Sequence, residues 1–246
     1  MNSAAPRRRR RIPAFAVTIG LLASGLLIAA ESGTAQAAPA TTAKVKCVNS
    51  ATGVARYSST GKCRRGERKE ERTCAKGGHC VLGDVGPGRG IVFYTAGGEQ
   101  PWGRYLEAAP PTWKSPAGDP RLPWCQDTTH MIPGTGGIEL GDGAANTTAM
   151  LTVCISGAGF AAGNYIGNGL DDWYLPSIGE VNAFRAAREV IPSFFETLAN
   201  EEFWSSSEDL VDAAWTLSVE SIDAEPVLSG KSIPSFVRPI RAFGPN

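Results

Sequence analysis

The stretch Asp171-Asp-Trp-Tyr-Leu-Pro-Ser-Ile-Gly-Glu180 joins an aromatic turn to the strongest helix start in the chain. Pro176 disfavours helical backbone at Leu175, and Ser177 is a good N-cap. Glu180, three residues on, can reach back to the Ser177 amide and complete a capping box. Ile178, Val181, Phe184 and Ala187 then recur at helical spacing as far as Val190, where Pro192 is expected to stop the pattern. The segment reads as a rigid aromatic corner that launches one well-specified helix.

Upstream of the corner, Gly86-Pro-Gly-Arg-Gly90 reads as a turn feeding an apolar strand at residues 91–94, and residues 104–109 read as a second strand ended by Pro110-Pro111. The turn is not a phosphate loop: it leads into a strand and lacks the Gly-Lys-Ser/Thr ending. Residues 112–143 form a long irregular region that carries Trp113, Trp124, Cys125 and His130. Asn146 is expected to cap a helix running to about Cys154, and residues 157–170 read as another surface loop. Within that loop Gly157-Ala-Gly-Phe-Ala-Ala162 formally matches a dinucleotide fingerprint, but the strand-to-helix context and the distal acidic residue are missing.

Downstream, strands are expected at residues 203–206 and 213–219, with a turn at 209–212 between them and a loop at 229–232. In the second strand Trp215, Leu217 and Val219 alternate with Ala214, Thr216 and Ser218. A last strand at 237–243 carries Pro239, which implies an edge or a bulge. Strands, then two helices, then strands predict an α+β fold with an antiparallel sheet.

Six motifs occur in a fixed order: Gly86-Pro-Gly-Arg-Gly-Ile-Val-Phe-Tyr94, Tyr105-Leu-Glu-Ala-Ala-Pro110, Gly143-Ala-Ala-Asn-Thr147, Asp172-Trp-Tyr-Leu-Pro-Ser177, Trp204-Ser-Ser-Ser-Glu208 and Val237-Arg-Pro-Ile-Arg-Ala-Phe243. Together they resemble the Lcl C-terminal domain family of bacterial secreted and surface proteins, over residues 81–246. The resemblance implies a C-type-lectin-like, formylglycine-generating-enzyme-like fold in a binding or adhesive role. It would set the first strand, 91–94, near the last, 237–243. The Glu-Pro-Asn or Gln-Pro-Asp triplet of calcium-dependent C-type lectins is missing. The enzymatic relatives act through a cysteine pair, a role in which Cys125 and Cys154 would have to stand.

The 246 residues begin with five arginines at 7–11, an apolar run at 14–30 and Ala35-Gln-Ala37, the three regions of a secretory signal peptide. The apolar run is shorter than the roughly 20 residues a membrane-spanning helix needs, so cleavage after Ala37 is expected, with no transmembrane segment after it. Residues 38–43 then read as a disordered N-terminus. The overall neutrality hides a division, because residues 44–80 carry ten Lys or Arg against three Glu, whereas residues 81–246 carry nine Lys or Arg against twenty Asp or Glu. A basic stub therefore precedes an acidic domain. The stub reads as a cysteine-bounded hairpin turning at Ala51-Thr-Gly53, followed by a charged linker with some helical character. Cys47, Cys63, Cys74, Cys80, Cys125 and Cys154 in an exported chain point to disulfides; fifteen connectivities are open, and nearest-neighbour pairing is preferred.

Function is read chiefly by elimination. His79 and His130 belong to no triad, zinc motif or nucleophile elbow, so a non-catalytic protein is expected. Rings of Trp113, Trp124 and Trp173 could stack on sugars, with Asn168, Asp171, Asp172, Glu208 and Asp209 fixing hydroxyls directly or through calcium, the one cofactor such oxygen ligands would take. The other reading of these aromatics is core packing. The basic residues of 44–76 could hold an anionic polymer. The lack of aromatic residues beyond Tyr57 speaks against a specific nucleic-acid partner. A secreted or surface-associated binding module, with a glycan or cell-envelope polymer as partner, is the leading expectation; an extracellular enzyme on the same fold and a purely structural envelope component are the alternatives.

Overall fold

The computed structural model describes residues 45–58, 62–70, 73–74, 79–195, 198 and 202–244; the expected leader and the segment 38–43 lie outside the described residues. The fold is mixed α+β with three sheets. The first sheet is small, in the order β2-β1-β3, with β1 Val45–Asn49, β2 Ala55–Ser58 and β3 Glu67–Lys69. The Asn49 side chain accepts from the amides of Ala51 and Thr52 at 2.9 Å, and Gly53 takes a positive φ, which builds the expected turn. Within the linker expected at residues 64–76, residues 71–72 and 75–76 lie outside the described residues, while residues 67–69 are instead strand β3, paired antiparallel with β1. Its charge run is spent on the sheet's rim and on one bidentate pair, Arg56 with Glu67.

A second sheet has the order β11-β5-β4, formed by β4 Ile91–Gln100, β5 Gly103–Ala108 and β11 Ile240–Phe243. The expected first and last strands thus share a sheet, but β5 lies between them. Being central, β5 is covered on both faces, and Tyr105, Leu106, Glu107 and Ala108 are all buried. The third sheet has the order β6-β10-β7-β8-β9, with β6 Arg121–Leu122, β7 Glu202–Leu210, β8 Ala213–Ser218, β9 Val227–Gly230 and β10 Ser235–Phe236. The β10–β7 pair is parallel, so this sheet is mixed rather than antiparallel. Asp209 belongs to β7 instead of a turn, and the expected 229–232 loop begins inside β9. The expected last strand is shortened to β11, because residues 237–239, ending in Pro239, are not strand and separate it from β10. In β8, Ala213, Ala214, Thr216 and Leu217 are all buried, so the expected half-buried alternation gives way to a strand covered on both faces.

Among the described residues the two expected helices become four, α1 Asp142–Leu151, α2 Ala158–Gly163, α3 Ile178–Ala186 and α4 Pro192–Phe195, with a 3-10 turn at Ala187–Glu189. Helix α3 starts as expected: the Ser177 hydroxyl accepts from the Glu180 amide while the Glu180 carboxylate accepts from the Ser177 amide at 2.7 Å. Pro192 opens α4 rather than ending α3, which suits its missing amide hydrogen. Helix α1 is not capped by Asn146. It begins four residues earlier, after Gly141 at φ +96°, and Asn146 is a buried mid-helix amide bonded to Gly137 and Ser206. The expected 157–170 loop contains α2, whose small residues let it press on α1; a Cβ at Gly159 would lie 2.4 Å from the Met150 terminal methyl.

Two apolar clusters hold the elements together. One gathers Trp124, Trp204, Met150, Trp173 and Leu175 beside the Cys125–Cys154 disulfide. The other centres on Phe184 of α3, whose ring meets Phe93 at 5.3 Å and Phe195 at 4.8 Å between centroids. Burying one such phenyl ring contributes about 2–3 kcal/mol. All six cysteines pair with their nearest neighbours, Cys47–Cys63, Cys74–Cys80 and Cys125–Cys154. Among the described residues no helix is long and apolar enough to cross a membrane.

Candidate functional site

Strand β5 positions the site through Glu107, a carboxylate with no exposure in the middle of a covered strand. A buried charge is tolerated only when it is paired and hydrogen-bonded, and three partners converge on this one. The amides of Gly88 and Gly90 donate to it at 2.8 and 3.1 Å, and the Arg241 guanidinium, from β11, donates at 2.8 Å. Burial pushes the Glu107 carboxyl above the usual carboxylate range, although Arg241 and the two amides pull the other way. The loop 86–90 can approach so closely only because it is made of glycines. A Cβ at Gly86 would sit 2.2 Å from the Glu107 carboxylate, and one at Gly88 2.4 Å from the Trp173 ring.

Arg241 carries the network outward. Its Nε and Nη2 donate to Asp172 at 2.7 and 2.6 Å, a planar fork on a carboxylate that is half exposed. The Asp172 backbone belongs to the corner described from sequence, and the corner is pinned to β11 by paired amides of Tyr174 and Ile240 at 2.8 and 3.0 Å. Above the network lie Trp173 and the half-buried Tyr165, with ring centroids 5.1 Å apart, and Tyr165 in turn meets Trp113 at 5.3 Å. Burial, and then the nearby Glu107 charge, raises the Tyr165 phenol above its ordinary range.

Two features set this corner apart. Among the described residues only Arg89 and Asn168 are non-glycines at positive φ, +64° and +53°, and they sit in adjoining loops. The Asn168 side-chain amide donates to the Pro87 carbonyl at 2.9 Å, locking one loop to the other. Left-handed backbone at non-glycine residues costs about 1 kcal/mol or more each and tends to gather at ligand sites. The second feature is the indole N–H of Trp173, buried with no acceptor. The indoles of Trp113, Trp124 and Trp204 all have one, at Asp119, the Ser205 carbonyl and the Leu122 carbonyl.

The sequence candidates therefore divide. Asn168, Asp171, Asp172 and Trp173 come together at the corner, with Asp171 and Asn168 exposed. Trp113 adjoins them through Tyr165 but is buried, its N–H given to Asp119. Trp124 is fully buried in the core, and Glu208 is buried in an ion pair with Lys231, away from its exposed sequence neighbour Asp209. Sequence reading passed over Tyr165, Arg89, Glu107 and Arg241. Two arginines alternating with apolar residues in Val237-Arg-Pro-Ile-Arg-Ala-Phe243 were the available sign, since an arginine in such a strand needs a buried carboxylate.

Metal and redox chemistry find little support in these side chains. Both oxygens of Asp172 are taken by Arg241, and no three carboxylates of the corner converge as calcium would require. Among the described residues the one cluster of potential ligands is Cys47, Cys63 and Glu67, whose sulfurs are joined to each other. Cys125 and Cys154 are likewise bonded to each other, so neither is a thiol nucleophile. An open apolar groove of about 260 Å³ between β4 and α3, floored by Phe93, Tyr94, Ala183 and Ala187, brings no set of polar groups together.

Comparison with protein-family models and with curated proteins finds no match for this chain. The corner's own chemistry is what remains to argue from. It offers a guanidinium at Arg89, carboxylates at Asp171 and Asp172, an amide at Asn168, a phenol at Tyr165 and an unused indole donor. Such a mix can hold a ligand bearing several hydroxyl groups, each acting as both donor and acceptor.

Proposed function

We propose that the protein is a secreted or surface-associated, non-catalytic binding module, that its larger domain is C-type-lectin-like and related to the Lcl C-terminal family, and that its ligand is a polyhydroxylated glycan or cell-envelope polymer. The observation that carries this reading is the presence of two strained non-glycine residues, Arg89 and Asn168, in loops joined by the Asn168–Pro87 hydrogen bond beside the Glu107–Arg241–Asp172 chain. Strain at both positions is supported by the surrounding bonds and serves nothing in the core, as expected of groups held ready for a ligand. Three disulfides suit an oxidising compartment.

The test uses the mature full chain on immobilised glycans and envelope polysaccharides. Glycine adopts positive φ freely, so Arg89→Gly and Asn168→Gly remove the side chains without backbone strain at either position, at the loss of the Asn168–Pro87 hydrogen bond. The double variant is expected to lose binding at least tenfold while its melting temperature falls by no more than the roughly 2–4 °C that one hydrogen bond is worth. Failure of the unmodified protein to bind any polymer, or unchanged binding by the variant, rejects the proposal and leaves a structural envelope role.

A further inference from the structure

The small sheet has an imbalance of charge that its own fold does not resolve. Residues 46–70 contain seven cations and two carboxylates. Glu67 is held by Arg56 through both guanidinium nitrogens, at 2.8 and 2.7 Å, and accepts the Arg64 amide at 2.7 Å; Glu70 is paired with Lys46. Both acids are thus engaged within the sheet. The remaining cations, Lys62, Arg64, Arg65, Arg68 and Lys69, fall within eight consecutive residues and are all exposed. Among the described residues none of the five forms an ion pair, although residues 81–246 carry eleven more acids than bases. The Cys47–Cys63 disulfide and the β1–β3 pairing tie the segment that carries these charges back to β1 at both its ends.

We propose that this basic rim is a docking surface for a single-chain polyol phosphodiester, with one charge per repeating unit and no nucleobases, separate from the corner site. Charge complementarity selects a polyanion, and the guanidinium forks of Arg64, Arg65 and Arg68 fit the paired oxygens of a phosphodiester. The acidity of the larger domain selects among polyanions. A densely charged chain running beyond the rim would meet that domain's excess of carboxylates, whereas a sparsely charged one can engage the rim alone. Protection of an exposed edge strand is the competing explanation for basic residues on β3. It accounts for Arg68 and Lys69 in the strand but not for Lys62, Arg64 and Arg65 before it.

The test measures binding of the oxidised full-length mature protein to immobilised poly(glycerol phosphate), with heparin and double-stranded DNA as parallel surfaces. If about four phosphates are neutralised, affinity falls roughly 50-fold between 50 and 200 mM salt, taking about 0.7 counterions released per contact. Replacing Arg64, Arg65 and Arg68 together with Gln is expected to cut the affinity at least tenfold and flatten the salt dependence. Lys114→Gln, one exposed charge removed from the larger domain, changes it less than twofold. Arg89→Gly with Asn168→Gly leaves this binding intact, which separates the rim from the corner. The proposal is overturned if poly(glycerol phosphate) does not bind at 50 mM salt, if the triple variant binds like the parent, or if heparin or DNA is bound more tightly.

Discussion

Lys231 offers the sharpest energetic test of the fold. Its ammonium group is fully buried and donates to the His130 carbonyl at 2.7 Å, the Val211 carbonyl at 2.8 Å and the Glu208 carboxylate, while lying 5.0 Å from the Trp124 ring centroid. Glu208 accepts in addition from the Ile132 amide at 2.8 Å and the Thr135 hydroxyl at 2.5 Å. One cation therefore fastens the β7–β8 turn, the end of β9 and the 127–137 loop. Lys231→Met leaves a buried carboxylate without its counter-charge and two carbonyls without a donor, at a cost of about 4 kcal/mol. In a domain of this size that corresponds to a fall of roughly 8–16 °C in melting temperature. Glu208→Leu is expected to cost a similar amount, because it strands the ammonium instead. The double variant has neither charge and is expected to recover to within about 2 kcal/mol of the parent. Urea unfolding of all four proteins at neutral pH, with disulfides intact, closes the cycle. A single variant within about 1 kcal/mol of the parent, or a double variant as unstable as the two singles summed, would refute the reasoning.

Other outcomes follow from the same style of accounting. Burial raises the Glu180 carboxyl to about 7 despite the hydrogen bonds it accepts from the Tyr174 hydroxyl and from the Ser177 and Gly141 amides. Between the ordinary carboxylate range and pH 7 the unfolded chain then binds fewer protons than the folded one, so stability falls as pH rises, by about 3 kcal/mol in all. Urea midpoints from pH 4.5 to 8 should show this slope, and Glu180→Gln should flatten it. Gly143→Ala places a methyl 2.2 Å from the Glu180 carboxylate and 2.7 Å from the Ser177 amide, and is expected to destabilise by about 1–3 kcal/mol in thermal melts. Asn146→Ala removes the amide that satisfies Gly137 from both sides and should cost about 1–3 kcal/mol, measured the same way. Opening Cys125–Cys154, which spans 29 residues, by a double Cys→Ala change should lower stability by roughly 3–4 kcal/mol.

The features legible in the sequence were those whose causes are local. The Ser177–Glu180 box needs only residues three apart, and it formed as read. The Asn49 turn and the nearest-neighbour disulfides likewise follow from short separations. Where a residue's role depends on a distant partner, reading along the chain fails. Asn146 resembles a cap until Gly137 and Ser206 are brought to it, after which it is worth more as a buried amide. Strand β3 was hidden because Arg56, eleven residues earlier, neutralises the glutamate in its charge run. Helix α2 was hidden because its glycines, poor helix formers in isolation, are selected by the space beside Met150. At the site, Asn168, Asp171, Asp172 and Trp173 could be proposed because they are contiguous or nearly so. Glu107 and Arg241, 134 positions apart, could not.

That separation of 134 residues also sets the order of folding. Until Ile240–Phe243 docks on β5, Glu107 has no counter-charge, the corner has no strand to pair with, and Asp172 has no guanidinium to orient it. The earlier part of the domain can collapse but cannot settle, because loop closure over so long a span must precede the contacts that reward it. A chain emerging from the ribosome therefore stays unfolded at this corner until its last strand is free. If the chain is exported, as proposed above, that delay keeps it competent for translocation until the whole domain has been made.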